Sequence, residues 1–167
     1  MINKFENIYK EESDAIFRFC LLRVSDREKA LDLTQETFLR LWKSMLKGEE
    51  ILNNKAFLFK IAHRLIIDWY RKKKSFSLES ILERRDDEEY DILDENTDTE
   101  SLSTQAEARH LIEKINDLPS YHRTPVYLRY VEDLSPVEIG KILGISANAA
   151  SVRINRGLKE LKEQYEK

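Results

Sequence analysis

A chain of 167 residues has room for one ordinary domain or two small ones, and its composition, 35% charged against 41% hydrophobic, favours small helical units over one large core. Four glycines and three prolines are too few for a turn-rich sheet protein; no apolar run approaches the ~20 residues a membrane span needs, and MINKFENIYK lacks the apolar stretch of a signal peptide, so an all-α cytoplasmic protein with no direct membrane insertion is expected. The net charge of −3 is unevenly spread, at +5 over residues 1–75, −9 over 76–103 and +1 over 104–167, an asymmetry that suggests work on nucleic acid.

From residue 5 to about 24, Phe5, Ile8, Tyr9, Ile16, Phe19 and Cys20 recur at i, i+3, i+4 spacing, with only Glu12 and Arg23 breaking the stripe, which predicts a long amphipathic helix. The lone Cys20 has no partner for a disulfide, and with His63, His110 and His122 it shows no metal-ligand spacing. No cofactor is expected. Ser25 and Asp26 break this helix and cap a second, over residues 27–46. One side of it holds Leu31, Thr34, Phe38, Leu41, Trp42 and Met45, an apolar stripe suited to a core. The other holds Asp32, Gln35, Glu36, Leu39 and Lys43, which is either a solvated face with one exposed leucine or a docking surface.

Residues 47–54 read as a loop, with Gly48 ending the second helix and Asn54 available to cap a third over residues 55–74. Leu58, Ile61, Ala62, Leu65 and Trp69 form its apolar stripe, while Lys60, Arg64, Arg71 and Lys74 line another face, joined by His63, Lys72 and Lys73. A basic stripe of this kind can follow a phosphate backbone, and those of Phe57, Phe59, Trp69 and Tyr70 that are left at the surface could stack on unpaired bases. Residues 76–103 lose helical periodicity and carry clustered carboxylates with few large apolar residues, the composition of a flexible acidic linker.

A second domain is expected over 104–167. Thr104 and Glu107 have the spacing of a capping box, and Ala108, Leu111, Ile112 and Ile115 continue a stripe to Leu118. Pro125 means that the next helix either begins near Thr124 or kinks. Ser135, Pro136 and Glu138 then combine a capping box with proline at the first helical position; Gly144 ends that helix and Ser146 caps another over residues 148–165. Two helices joined this tightly form either an αα-hairpin or a helix-turn-helix whose second helix enters a major groove, with Asn148, Ser151, Asn155, Arg156 and Lys159 outward.

Three segments resemble one family. The run Asp32-Leu33-Thr34-Gln35-Glu36-Thr37-Phe38-Leu39 resembles the helix by which bacterial RNA polymerase sigma factors grip the polymerase's largest subunit. The run NKAFLFKIAHRLIIDWYRKKK resembles their minus-ten reading segment, and LSPVEIGKILGIS with VRINRGLKEL resembles their minus-thirty-five module. Phe57 and Arg64 stand where Trp and Asn are usual, and Ala149, Ala150 and Ser151 where Thr, Val and a basic residue are usual. The order of the modules, with an acidic connector and no third domain, matches the extracytoplasmic-function (ECF) type.

The resemblance implies core-polymerase binding by Asp32, Gln35, Glu36 and Leu39. It implies minus-ten contacts by Asn53, Asn54, Lys60, Arg64, Arg71 and Lys72, and minus-thirty-five contacts by Ser151, Val152, Arg153, Asn155, Arg156 and Lys159. The implied partners are core RNA polymerase, promoter DNA and an anti-sigma factor clasping both modules, which a flexible connector would otherwise leave mobile. No enzymatic activity is expected, since the chain has no phosphate loop, nucleophile triad or metal cluster. A sigma-like decoy and a helix-turn-helix regulator that recruits no polymerase are the alternatives.

Overall fold

The computed structural model describes residues 1–76 and 106–166, and every regular element among them is a helix. Helices α1 (Ile2–Val24), α2 (Arg27–Leu46) and α3 (Asn54–Phe76) make an N-terminal module; α4 (Ala106–Asn116), α5 (Ser120–Tyr130), α6 (Pro136–Leu143) and α7 (Ala147–Glu166) make a C-terminal one. The expected connector lies outside the described residues, except for Phe76, which still belongs to α3. Thr104 of the expected capping box lies outside them too.

In the N-terminal module the chain turns between α1 and α2 at Ser25, in the left-handed region at φ 53°, and Asp26 caps α2 by accepting from the Lys29 amide at 3.1 Å. The core between the three helices is Ile16, Phe19, Cys20, Leu41, Leu58, Phe59 and Ile66, all buried. Each Ile, Leu and Phe among them contributes ~1.5–3 kcal/mol by leaving water. Burial pushes the Cys20 thiol up to about 12, so it packs as a small neutral group.

In α1, α2 and the cap of α3, three positions differ from the sequence expectation. Leu31 is 42% exposed, and the buried stripe of α2 instead runs through Ala30, Leu33, Thr34, Thr37, Phe38 and Leu41. Thr34 and Thr37 fit there because their hydroxyls donate to the carbonyls of Ala30 and Leu33 at 2.7 Å, which satisfies the polar atom inside the helix. Tyr9, expected in the core stripe, is exposed and lies edge-on against Phe38 at 4.8 Å. The cap of α3 is Asn53, whose side-chain oxygen accepts from the Ala56 amide at 3.0 Å, so the helix starts one residue earlier than expected.

The C-terminal module is built on α7, which packs against both α5 and α6. Helix α5 begins at Ser120, so Pro125 lies inside it rather than at its first turn and leaves the Tyr121 carbonyl without its helical donor. Leu111, expected to face inward from α4, stands outward while Ile112 and Ile115 are buried. The α6–α7 corner follows the sequence closely. Ser135 and Glu138 exchange both capping-box bonds, Gly144 takes the left-handed cap at φ 71°, and the Ser146 hydroxyl accepts from the Ala149 amide at 3.0 Å.

The two modules touch. Helix α6 packs on α3, and the ring of Phe19 in α1 lies 5.8 Å from that of Tyr127 in α5.

Candidate nucleic-acid and polymerase interface

The polar face of α2 is placed by what lies behind it. Once Leu33, Thr34, Thr37, Phe38 and Leu41 are buried, Asp32, Gln35 and Leu39 must point outward at successive turns, and all three are exposed. Glu36, half-buried, is held along the helix by Arg40 at 2.9 Å. The expected set therefore sits on one open surface, carrying a leucine that is 45% exposed among two carboxylates and an amide. Leu31 adds a second apolar side chain to that surface, because it projects one turn before Gln35.

Helix α3 separates its faces in the same way. Leu58, Phe59, Ala62, Leu65, Ile66 and Tyr70 go inward, leaving Arg64, Arg71, Lys72 and Lys73 exposed and Lys60 and Lys74 half-buried. His63 does not join the basic face: it is buried, and its pKa is lowered to about 3 by burial first, then by the charges of Arg23 and Arg64. A neutral imidazole in the core contributes nothing to phosphate binding. Of the four aromatic residues considered for stacking, Phe59 is core and Tyr70 is buried with its hydroxyl donating to the Arg23 carbonyl. Phe57 and Trp69 remain half-buried, and the Lys73 ammonium lies over the Trp69 ring at 5.0 Å, a cation–π pair at the edge of the basic face.

The loop before α3 leaves Leu52 91% exposed beside Asn53, which is exposed, and Asn54, which is half-buried. The Asn53 amide does two things at once. Its oxygen caps α3, and its nitrogen donates to Glu138 Oε1 of α6 at 2.6 Å.

On α7, burial of Ala150, Ile154, Gly157 and Leu161 turns Val152, Asn155, Arg156 and Lys159 outward, with Ser151 and Arg153 half-buried beside them. Two features of this surface carried no periodic signal. The Arg153 guanidinium lies over the Tyr121 ring of α5 at 3.9 Å, which fixes its direction. Gly140 is buried where a β-carbon would meet the Ile145 carbonyl oxygen at 2.7 Å, so the close corner that sets the angle of α7 requires glycine there. A glycine inside a short helix, four residues before another glycine, was the available signal.

The basic face of α3 and the outer face of α7 are each suited to polyanion binding, the first along a strand and the second in a groove. Among the described residues no helix is long and apolar enough to cross a membrane.

The family model for Sigma-70 region 2 matches residues 8–76, and that for Sigma-70 region 4 matches residues 109–161. The chain is 27% identical to the ECF RNA polymerase sigma factor SigX of Bacillus subtilis (strain 168), over 99% of this chain and 86% of that one. It is 30% identical to the ECF RNA polymerase sigma factor SigW of the same organism, over 95% of this chain and 85% of that one. Among solved structures it shares its fold with the sigma factor RpoE of Bartonella quintana, determined in complex with the anti-sigma factor NepR, at a TM-score of 0.67 and 21% identity over 98% of this chain and 97% of that one.

Proposed function

Because the chain belongs to the sigma-70 family of RNA polymerase sigma factors, in its ECF group, we propose that it binds core RNA polymerase through the open face of α2 and directs it to a promoter of two elements. The observation that carries this reading is the exposure of Asp32, Gln35 and Leu39, with Glu36 beside them, on a helix whose opposite face is buried. A regulator that only bound DNA would have no use for that set.

In this reading Asn53, Asn54, Lys60, Arg64, Arg71 and Lys72 act on the minus-ten strand, where Trp69 offers a partly open ring for stacking. Ser151, Val152, Arg153, Asn155, Arg156 and Lys159 act on the minus-thirty-five duplex, with α7 in the major groove and Tyr121 holding Arg153. The protein then works in the cytoplasm by binding and positioning, with the polymerase supplying the chemistry. The fold neighbour from Bartonella quintana was solved holding an anti-sigma factor, and a partner of that class is inferred for this chain as well.

The test replaces Gln35 with Ala and Leu39 with Arg together. Both side chains are exposed, so the helical circular dichroism and the melting temperature should stay near wild type while co-purification with core polymerase is lost. Wild-type chain that binds promoter duplex but never co-purifies with core polymerase would favour the regulator and refute the proposal.

A further inference from the structure

The first two turns of α7 carry no charge. Between Lys141 and Arg153 the chain has neither an acidic nor a basic residue, and the Arg153 guanidinium is itself laid over the Tyr121 ring at 3.9 Å, on the flank of α7 that faces α5. The middle of the outer face is a line of four exposed side chains at i, i+4, i+7 and i+11, namely Asn148, Val152, Asn155 and Lys159. Val152 is 39% exposed. One exposed valine is ordinary by itself. Its place is not, for it stands between two amides on the line that a helix lying in a major groove turns toward the base edges, and the N-terminal residues of such a helix are the ones that reach them.

The chemistry of that line is narrow. In the major groove guanine is read by Arg or Lys donating to O6 and N7, adenine by the amide of Asn or Gln on N6 and N7, and thymine by apolar contact with its 5-methyl group. The uncharged turns offer only the last two. A valine in a helix keeps essentially one χ1 rotamer, so its methyls are already held in place and a contact orders little more. At ~1.5 Å per residue, Asn148 and Asn155 stand about 10 Å apart along the axis, the length of about three base pairs at ~3.4 Å each. Val152 falls between them.

On the reading that α7 enters the upstream promoter duplex, on which this inference rests, we propose that the chain recognises an A·T segment there through a thymine methyl group. Val152 packs on the 5-methyl of a thymine, and Asn148 and Asn155 pair with adenines on either side, about three base pairs apart. Arg156, exposed one turn beyond Val152, is then the first side chain on the outer face with the donors for guanine. The element is therefore A·T under the first turns of α7 and admits G·C only beyond them.

The experiment selects duplexes from a pool randomised over the upstream element, with the full chain alone and with the full chain added to core polymerase. The selected duplex is then remade with deoxyuridine in place of each thymine in turn, which removes the 5-methyl group and keeps O4 and the base pairing. One such replacement should weaken binding of the wild-type chain about 3- to 5-fold, the worth of one methyl group taken out of water. In Val152→Ser, at an exposed position where circular dichroism should stay at the wild-type value, that thymine and deoxyuridine should bind equally well. Asn148→Ala and Asn155→Ala should each relax selection at one A·T pair, the two pairs lying about three apart. A G·C-rich element under the first turns, a selected element with no thymine sensitive to deoxyuridine, or a sensitivity that persists in Val152→Ser overturns the proposal. A duplex selected by the chain alone and never in company with polymerase would refute the sigma-factor reading and leave the methyl contact standing, whereas selection of no sequence in either arm sinks both.

Discussion

Replacing Gly140 with Ala should damage promoter reading out of proportion to its cost in stability. The new β-carbon would lie 2.7 Å from the Ile145 carbonyl oxygen and 3.2 Å from the Ala147 nitrogen and the Ser146 carbonyl carbon. All three are backbone atoms of the corner between α6 and α7, and an ordinary carbon–oxygen contact needs about 3.3–3.6 Å, so the corner must open by more than half an ångström. Overpacking of this kind costs ~1–3 kcal/mol, while alanine regains ~1 kcal/mol of helix propensity over glycine, leaving a net loss of about 0–2 kcal/mol. Gly144→Ala is the matched control. Nothing lies within 4 Å of its β-carbon, so its cost is the left-handed backbone alone, ~1–2 kcal/mol, with α7 undisturbed. Urea unfolding should show a loss for Gly140→Ala no larger than that for Gly144→Ala. Duplex binding to a selected upstream element, well below the melting temperature, should fall at least several-fold for Gly140→Ala and stay near wild type for Gly144→Ala. Wild-type DNA binding by Gly140→Ala, or a gain in its stability, would refute the argument that backbone proximity sets the angle of the reading helix.

His63 predicts an acid-sensitive core. Its pKa is lowered from 6.5 to about 3, so between those values the unfolded chain binds more protons, and stability is complete above pH 6.5 and falls as pH drops. The loss from this residue is about 2 kcal/mol at pH 5, and His63→Leu should flatten that part of the urea-unfolding profile. Replacing Arg71 and Lys72 with Ala should weaken single-strand binding and reduce its salt slope by about 1.4, at ~0.7 for each phosphate no longer neutralised; an unchanged slope removes these residues from the strand. Asn155→Ala should change which upstream hexamers are recovered from a randomised pool, because a base contact contributes ~1–3 kcal/mol of discrimination, and an unaltered preference would mean that Asn155 does not read bases.

Much of this protein was legible from local pattern. The stripes of α1, α2 and α3, the Ser135 capping box, the Gly144 and Ser146 corner and the outward set on α7 all follow from period 3.6 and from capping chemistry, which act within a few residues of chain. The polymerase and promoter assignments rested on whole words of sequence matching a known family. What period alone could not decide was which flank of a stripe the neighbouring helix covers. Leu31 and Leu33 both border the apolar arc of α2, and packing against α1 and α3 buries Leu33 and leaves Leu31 outside. His63 lies where the arc of α3 meets its basic face, and the tertiary core takes it in because a neutral imidazole can be buried at modest cost. Pro125 follows the same logic, for α5 is held from Ser120 onward by packing on α7 in spite of a missing backbone bond. The seam was out of reach altogether. Arg18 and Glu132 are 114 residues apart, each an ordinary charge on its own helix or turn, and only the folding of one module onto the other makes them a partly buried pair. Local sequence determines the helices and their faces because those depend on neighbours in the chain; the seam depends on neighbours in space, and the tertiary structure alone decided it.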